Sequence, residues 1–511
     1  MNYKKIKTLG DLKKAGYVSL PVKEELRKNL ITKIESGEKV FEGIHGFEYT
    51  VLPDLERAIL SRHNIVLLGL RGQAKTKIAR LLTTLLDEFI PVIEGSELND
   101  DPFHPLTKFA KDKIEELGDS TPISWMHRDD RYTEKLATPD VSVADLIGDV
   151  DPIKAANLKL NYTDERVIHF GLIPRSHRSI FVINELPDLQ ARIQVALFNM
   201  LQEGDIQIRG FKIRLPLDIQ FVFTANPEDY TNRGAIITPL KDRIESQILT
   251  HYPKDIRTSK IITEQEADIN AAQKEIVSIN DLSKDIIEQI AFEARSSEYV
   301  DQKSGVSARM TITMYENLIS SAERRALKNK ETSTYIRVSD FWGIIPSITG
   351  KIELVYEGEQ EGPFLVALNL IGKAIRTQFT NYFPAPEKAK KLTQVRGKEG
   401  TQQDPKRTSI YQEIVDWFNA GNKIDLLNDV TDNDYRHSLE SVPGLKKLVE
   451  KYYPKISGAD KLYMMEFVLH GLAEYSLLSK HVLEMGLQFK DLFSAVFKEE
   501  DLLGEDFDYN T

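Results

Sequence analysis

Residues 64–80 read NIVLLGLRGQAKTKIAR, and this stretch limits the possible folds more tightly than any other part of the sequence. Ile65–Leu68 is a four-residue apolar run, which predicts a short buried strand. The loop Gly69-Leu70-Arg71-Gly72-Gln73-Ala74 and then Lys75-Thr76 come next. Ile78, Leu81, Leu82, Leu85, Leu86 and Phe89 follow at the spacing of one helix face. Strand, glycine-bearing loop and helix in that order make a phosphate cradle. Backbone N–H groups and the helix N-terminus face the anion, Lys75 neutralises the outer phosphates, and the Thr76 hydroxyl suits Mg²⁺. Gly69 to Lys77 is the candidate nucleotide-binding set. Ala74 stands where the second glycine of the motif is expected, which is tolerable if its φ/ψ are those of an ordinary helix.

A second polar cluster supports the first. Ser179-Ile-Phe-Val-Ile is apolar and ends in Asn184-Glu185, the position at which a nucleotide hydrolase sets its water-activating carboxylate. Glu185 is the candidate base and Asn184 the candidate holder of the Mg²⁺ hydration shell, with an amide where aspartate is usual. IQFVFTANPEDY is a further buried strand that brings Asn226 towards the γ-phosphate or the attacking water. TPLKDRIESQILTHYP carries Arg243 ahead of the last core strand, and Arg309 opens a long helix from which it could reach the phosphates.

The 511 residues suffice for several domains. Residues 1–45 form an N-terminal helical segment, 46–255 the nucleotide-binding core, 256–380 a helical lid, 381–407 a polar, basic linker, and 408–511 an all-helical C-terminal region with an acidic tail. Hairpins are expected over LKLNYTDERVIHFG and over residues 205–218. The glycine and aromatic segment from Gly43 to Phe47 reads as core packing, with contact to a nucleotide base as the alternative. His127, Asp129 and Asp130 read as a solvated loop, since no partner histidine lies at ligand spacing. Cysteine is absent, which excludes disulfides and thiolate metal sites and suits the cytoplasm. No apolar run is long enough for a membrane span, and the net charge of −11 argues against a dedicated nucleic-acid binder.

The ordered set Gly69–Thr76, INEL at 183–186, TANP at 224–227, LKDR at 240–243 and SAR at 307–309 resembles the AAA+ ATPases. GxxGxAKT, GLIPRSHRSIFVINEL and the two inserted hairpins resemble the magnesium-chelatase ATPase subunit and the MoxR ATPases in particular. The resemblance covers roughly residues 40 to 330. It implies an α/β P-loop AAA+ core with a parallel sheet, ATP and Mg²⁺ as cofactors, and ATP hydrolysis. It also implies Asn226 as first sensor, Arg309 as second sensor, and Arg243 as an arginine finger offered to a neighbouring subunit. Such relatives form hexameric rings that remodel a partner, often one with an integrin-like metal-site domain, which here would be a separate chain. A nucleotide-dependent scaffold with little hydrolysis and a ring helicase are the alternatives.

Overall fold

The computed structural model describes residues 3–159, 165–207, 214–226, 235–386, 410–483 and 486–492. The chain divides into two compact units, 1–252 and 253–511.

The first unit is built on five strands: β1 (Ile65–Leu68), β2 (Tyr132–Leu136), β3 (Ser179–Asn184), β4 (Ile219–Ala225) and β5 (Ser246–Leu249). They lie in the order β5-β1-β4-β3-β2, with every pairing parallel. All residues of β1, β3 and β4 are buried, which is why those segments read as unbroken apolar runs rather than alternating ones. Each strand sends alternate side chains to opposite faces. Ile65, Leu67, Ile180, Val182 and Val222 pack with α1 (Val22–Ser36), α2 (Val51–Leu60) and α3 (Lys75–Leu81). Val66, Leu68, Phe181, Ile183, Phe221 and Phe223 pack on the other side with α4 (Ala191–Ala196), α5 (Phe198–Gln202) and α6 (Thr238–Arg243).

Local signals set the helix limits. α1 ends at Gly37, whose φ of 74° lets its N–H reach Ile34 O while Glu38 N–H reaches Lys33 O. α3 is shorter than its apolar stripe predicts. After Leu81 the chain tightens into a 3₁₀ turn, Leu82–Leu85, and Phe89 opens a strand, Phe89–Ile93, that pairs antiparallel with Ile123–His127.

The two expected hairpins differ in outcome. Asp205–Gln207 pairs antiparallel with Arg214–Pro216 as anticipated, its turn lying outside the described residues. The turn expected in the first, residues 160–164, lies outside the described residues; of its arms, Ile168–Phe170 pairs instead with Gly148–Val150, and Leu158 ends a helix, Pro152–Leu158. The pairing partner lay upstream, in a segment that reads as loop because it is short and holds glycine and aspartate.

In the second unit, α7 (Asp281–Ser296), α8 (Arg309–Asn329), α9 (Pro363–Tyr382) and α10 (Gly458–Glu474) contribute to one hydrophobic core. That core joins the stretches expected as lid and as C-terminal region. α9 runs on to Tyr382, and the remainder of the expected linker lies mostly outside the described residues. The C-terminal region is helical and also carries a small antiparallel sheet, β6 (Ile424–Leu427), β7 (Ser479–Leu483) and β8 (Gly486–Lys490), with β8 central. Within this core the buried Glu466 carboxylate accepts from Val338 N–H (2.7 Å), Ser339 N–H (2.9 Å) and Tyr435 OH (2.6 Å).

Candidate nucleotide site

The loop after β1 is anchored before it turns. Gly69 N–H donates to Ala225 O at the end of β4 (3.2 Å). A Cβ on Gly69 would collide with Thr250 Oγ1 and Gln73 Oε1, so any larger residue there must displace the side chains that brace the loop. Thr250 in turn donates to Gln73 Oε1 (2.7 Å), and Tyr252 OH donates to Arg71 O (2.8 Å). The loop is thus buttressed from the end of β5. Gly72 has φ 71°, and Ala74 has φ 56° and ψ 14°. The condition set for alanine at position 74 is not met, because the residue is left-handed, a conformation that costs an L-residue roughly 1–2 kcal/mol.

Thr76 is the second residue of α3. Lys77 is directed elsewhere than the loop: its Nζ donates to Gly43 O (3.2 Å), tying the Gly43–Phe47 segment to the phosphate helix. In that segment Ile44 and Phe47 are buried, in keeping with core packing.

A continuous chain of hydrogen bonds crosses the ends of the strands. Lys75 Nζ donates to Leu70 O (3.0 Å), to Gly69 O, and to Asn226 Oδ1 (2.7 Å). Asn226 Nδ2 donates to Glu185 Oε2 (3.0 Å). Glu185 follows β3 in a left-handed conformation (φ 54°, ψ 51°), and its N–H donates to Thr224 Oγ1 (3.2 Å). Thr224 OH donates to Asn184 Oδ1 (3.0 Å), and Asn184 Nδ2 donates to Glu134 Oε1 (2.7 Å). The second oxygen, Glu134 Oε2, accepts from Arg80 Nε (3.1 Å), Arg80 Nη2 (3.0 Å) and Tyr132 OH (3.0 Å). Contact with Glu134 strengthens the hold of Arg80 on its proton, while burial and the adjacent carboxylate raise the Tyr132 phenol. Register brings these groups together: Ile183 pairs with Phe223, and Leu136 with Asn184, so Thr224, Asn184 and Glu134 share the face covered by α3.

Sequence reasoning named Lys75, Asn184, Glu185 and Asn226 but not Glu134, Thr224, Arg80 or Thr250. Tyr132–Leu136 is a partly buried strand that the sequence did not announce, and only its partner's register makes Glu134 part of the site. Arg243 is held outside this chain of bonds, by Gln202 Oε1 (3.1 Å), Pro239 O (2.7 Å) and the ring of Phe198, 4.7 Å from the guanidinium carbon. Arg309 opens α8 in the second unit, with its N–H on Ser307 Oγ (3.1 Å).

The donor set fits Mg²⁺. Among the described residues no cluster of three or more His, Cys, Asp or Glu could hold a metal by itself. What the site offers is a hydroxyl in the first turn of α3 and the Asn184 oxygen, beside a loop made for phosphate. That suits an ion that keeps most of its waters and takes its remaining ligands from phosphate.

The β5-β1-β4-β3-β2 order, with the glycine-bearing loop after β1 and the polar ends of β3 and β4 beside it, is the parallel α/β P-loop arrangement that the AAA+ resemblance implies. The motifs it carries resemble those of the magnesium-chelatase ATPase subunit and the MoxR ATPases. No protein-family model matches the chain. Solved structures similar to it include a candidate ATPase of Cytophaga hutchinsonii (17% identity, 71% of this chain and 97% of that one, TM-score 0.29). Others are the BchI–BchD complex of magnesium chelatase (18%, 63% and 98%, 0.33) and Brucella abortus NtrX in complex with ATP (13%, 69% and 66%, 0.35). Superpositions this loose add nothing to the fold assignment, which rests on strand order and the placement of the loop.

Proposed function

We propose that this chain binds ATP with Mg²⁺ and hydrolyses it. We further propose that it works as a ring-forming motor of the magnesium-chelatase and MoxR type, remodelling a partner protein or helping to insert a metal or cofactor. The observation that carries the ATPase reading is the run Lys75–Asn226–Glu185, which sets a phosphate-binding cation, a neutral amide and a carboxylate in hydrogen-bond contact at one end of the sheet.

Lys75 Nζ donates to the two loop carbonyls and to Asn226 Oδ1. Phosphate oxygens entering the loop compete for the ammonium as the stronger, charged acceptors. As Lys75 turns to phosphate, Asn226 Oδ1 gives up its donor and can accept from the attacking water. Asn226 Nδ2 fixes one oxygen of Glu185, and the carboxylate takes the proton of that water, a general-base step typically worth ~10²–10⁴ in rate. The Thr76 hydroxyl and Asn184 Oδ1 would hold Mg²⁺, which when bound would supply charge neutralisation on the phosphates.

The family resemblance supports the assembly reading. Arg243, held away from the Lys75–Glu134 chain of its own subunit, is the group that would act on a neighbour's nucleotide. The amide at Asn184 in place of a carboxylate favours the second reading, a nucleotide-dependent scaffold. Phosphate release over a Mg²⁺ series, with particle mass by light scattering in ATP, tests both: turnover with assembly supports the motor, and assembly without turnover supports the scaffold. A monomer without turnover overturns the proposal. ATP-driven strand separation would replace it with the helicase reading.

A further inference from the structure

We propose that Glu134 is a positioning residue for the magnesium site, holding the Asn184 amide with its oxygen towards the nucleotide. The inference rests on the ATP–Mg²⁺ reading above. A carboxylate can only accept hydrogen bonds, so at 2.7 Å Asn184 must turn Nδ2–H to Glu134 Oε1. Oδ1 is then left to face Thr224, whose hydroxyl donates to it (3.0 Å) while accepting from Glu185 N–H (3.2 Å). The Thr224 bond occupies one of the two acceptor sites on Oδ1, and the other suits a cation-bound water. If the amide were reversed, an N–H would point at that water and at the Thr224 hydroxyl.

Three donors fix Glu134 itself. Arg80 Nε and Nη2 and Tyr132 OH all converge on Oε2, which commits Oε1 to Asn184. These contacts make glutamine an unusually informative substitution. In Glu134→Gln the side-chain oxygen belongs on the side of Arg80, because a guanidinium can only donate. The new NH₂ then faces Asn184, whose amide must reverse to offer it an oxygen. Size is unchanged, and the bonds of Asn184 to residue 134 and to Thr224 change direction.

The same logic gives a swap. Asn184→Asp alone sets two carboxylates against each other across the 2.7 Å contact. Combined with Glu134→Gln, the glutamine NH₂ meets an aspartate oxygen, so the pair is again satisfied, with amide and acid exchanged between strands.

The test is a Mg²⁺ titration of fluorescent-ATP binding, started from an EDTA baseline, on wild type, Glu134→Gln, Asn184→Asp and the double variant, with melting temperatures as a check of folding. Glu134→Gln is expected to raise the half-saturating Mg²⁺ about five- to tenfold, the worth of one ordinary hydrogen bond. Asn184→Asp should also raise it, and the double variant should return it to the wild-type value or below. Equal Mg²⁺ dependence in Glu134→Gln and wild type, or a double variant as impaired as the two losses combined, would overturn the proposal. Nucleotide binding that persists through either result leaves the ATP reading standing. A wild-type chain that takes up no nucleotide overturns both.

Discussion

Asn226 stands between Lys75 and Glu185: its Oδ1 accepts from the ammonium at 2.7 Å and its Nδ2 donates to the carboxylate at 3.0 Å. In the proposed mechanism one amide therefore links phosphate arrival at Lys75 to the group that would handle the attacking water. Asn226 and Glu185 follow the ends of adjacent buried strands, and Lys75 opens the helix after the β1 loop.

Lys75→Ala removes the cation at the start of this relay. A charge-assisted contact to phosphate is worth ~1.5–3 kcal/mol, so affinity for fluorescent ATP should fall by roughly one to two decades. Equal affinity in the variant and the wild type would remove the loop from the site.

Ala74 carries a left-handed backbone at φ 56°. Ala74→Gly relieves that strain and gives back part of it as unfolded-state entropy, for a net gain of about 0.5–1 kcal/mol in urea or thermal unfolding. The reverse change at the nearby tight position, Gly69→Ala, drives a methyl into Thr250 and Gln73 and should abolish nucleotide binding. A destabilised Ala74→Gly would show that the methyl packs more usefully than the backbone suffers.

Glu288 gives the second unit a pH dependence. Burial pushes its carboxyl up to about 7, and Ser259 hydrogen-bonds it. The folded value lies above the unfolded one near 4.5, so the stability it contributes is fully present below pH 4.5 and is lost as pH rises through 7. A shift of that size is worth roughly 3 kcal/mol. Glu288→Gln, which keeps a partner for Ser259, should flatten the decline and be the more stable protein at pH 8. Parallel stability curves for the two proteins between pH 5 and 8 would count against the assignment.

Arg243 packs on Phe198 and Gln202, outside the relay of its own chain. Arg243→Ala should keep ATP binding and lose turnover. Mixing it with a Glu185→Gln chain should restore part of the activity, since some interfaces then pair an intact Glu185 with an intact Arg243. No recovery on mixing would argue against action between subunits.

Much of the nucleotide unit was legible in the sequence for a physical reason: a parallel strand buried on both faces must be an unbroken apolar run, as β1, β3 and β4 are. Glycine and lysine after the first run, and Asn-Glu and Asn after the others, then mark the polar end of the sheet. Relations set by register were not legible. Glu134 and Asn184 are fifty residues apart, and their contact exists because Leu136 pairs with Asn184. Backbone conformation was hidden too, since nothing in the letters says that Ala74 is left-handed. The Ile168–Phe170 strand was visible but not its partner, because Gly148–Val150 is too short to carry a period. Ser479–Leu483 follows an apolar helix so closely that its strand was read as more helix.

The central claim is that the relay ends in a working base. Phosphate release at saturating Mg²⁺ and ATP, compared between the wild type and Glu185→Gln, tests it most directly. The wild type should turn over at least ~10²-fold faster, the lower range for loss of a general base. Equal rates in the two proteins would contradict the account and leave a nucleotide-bound scaffold in its place.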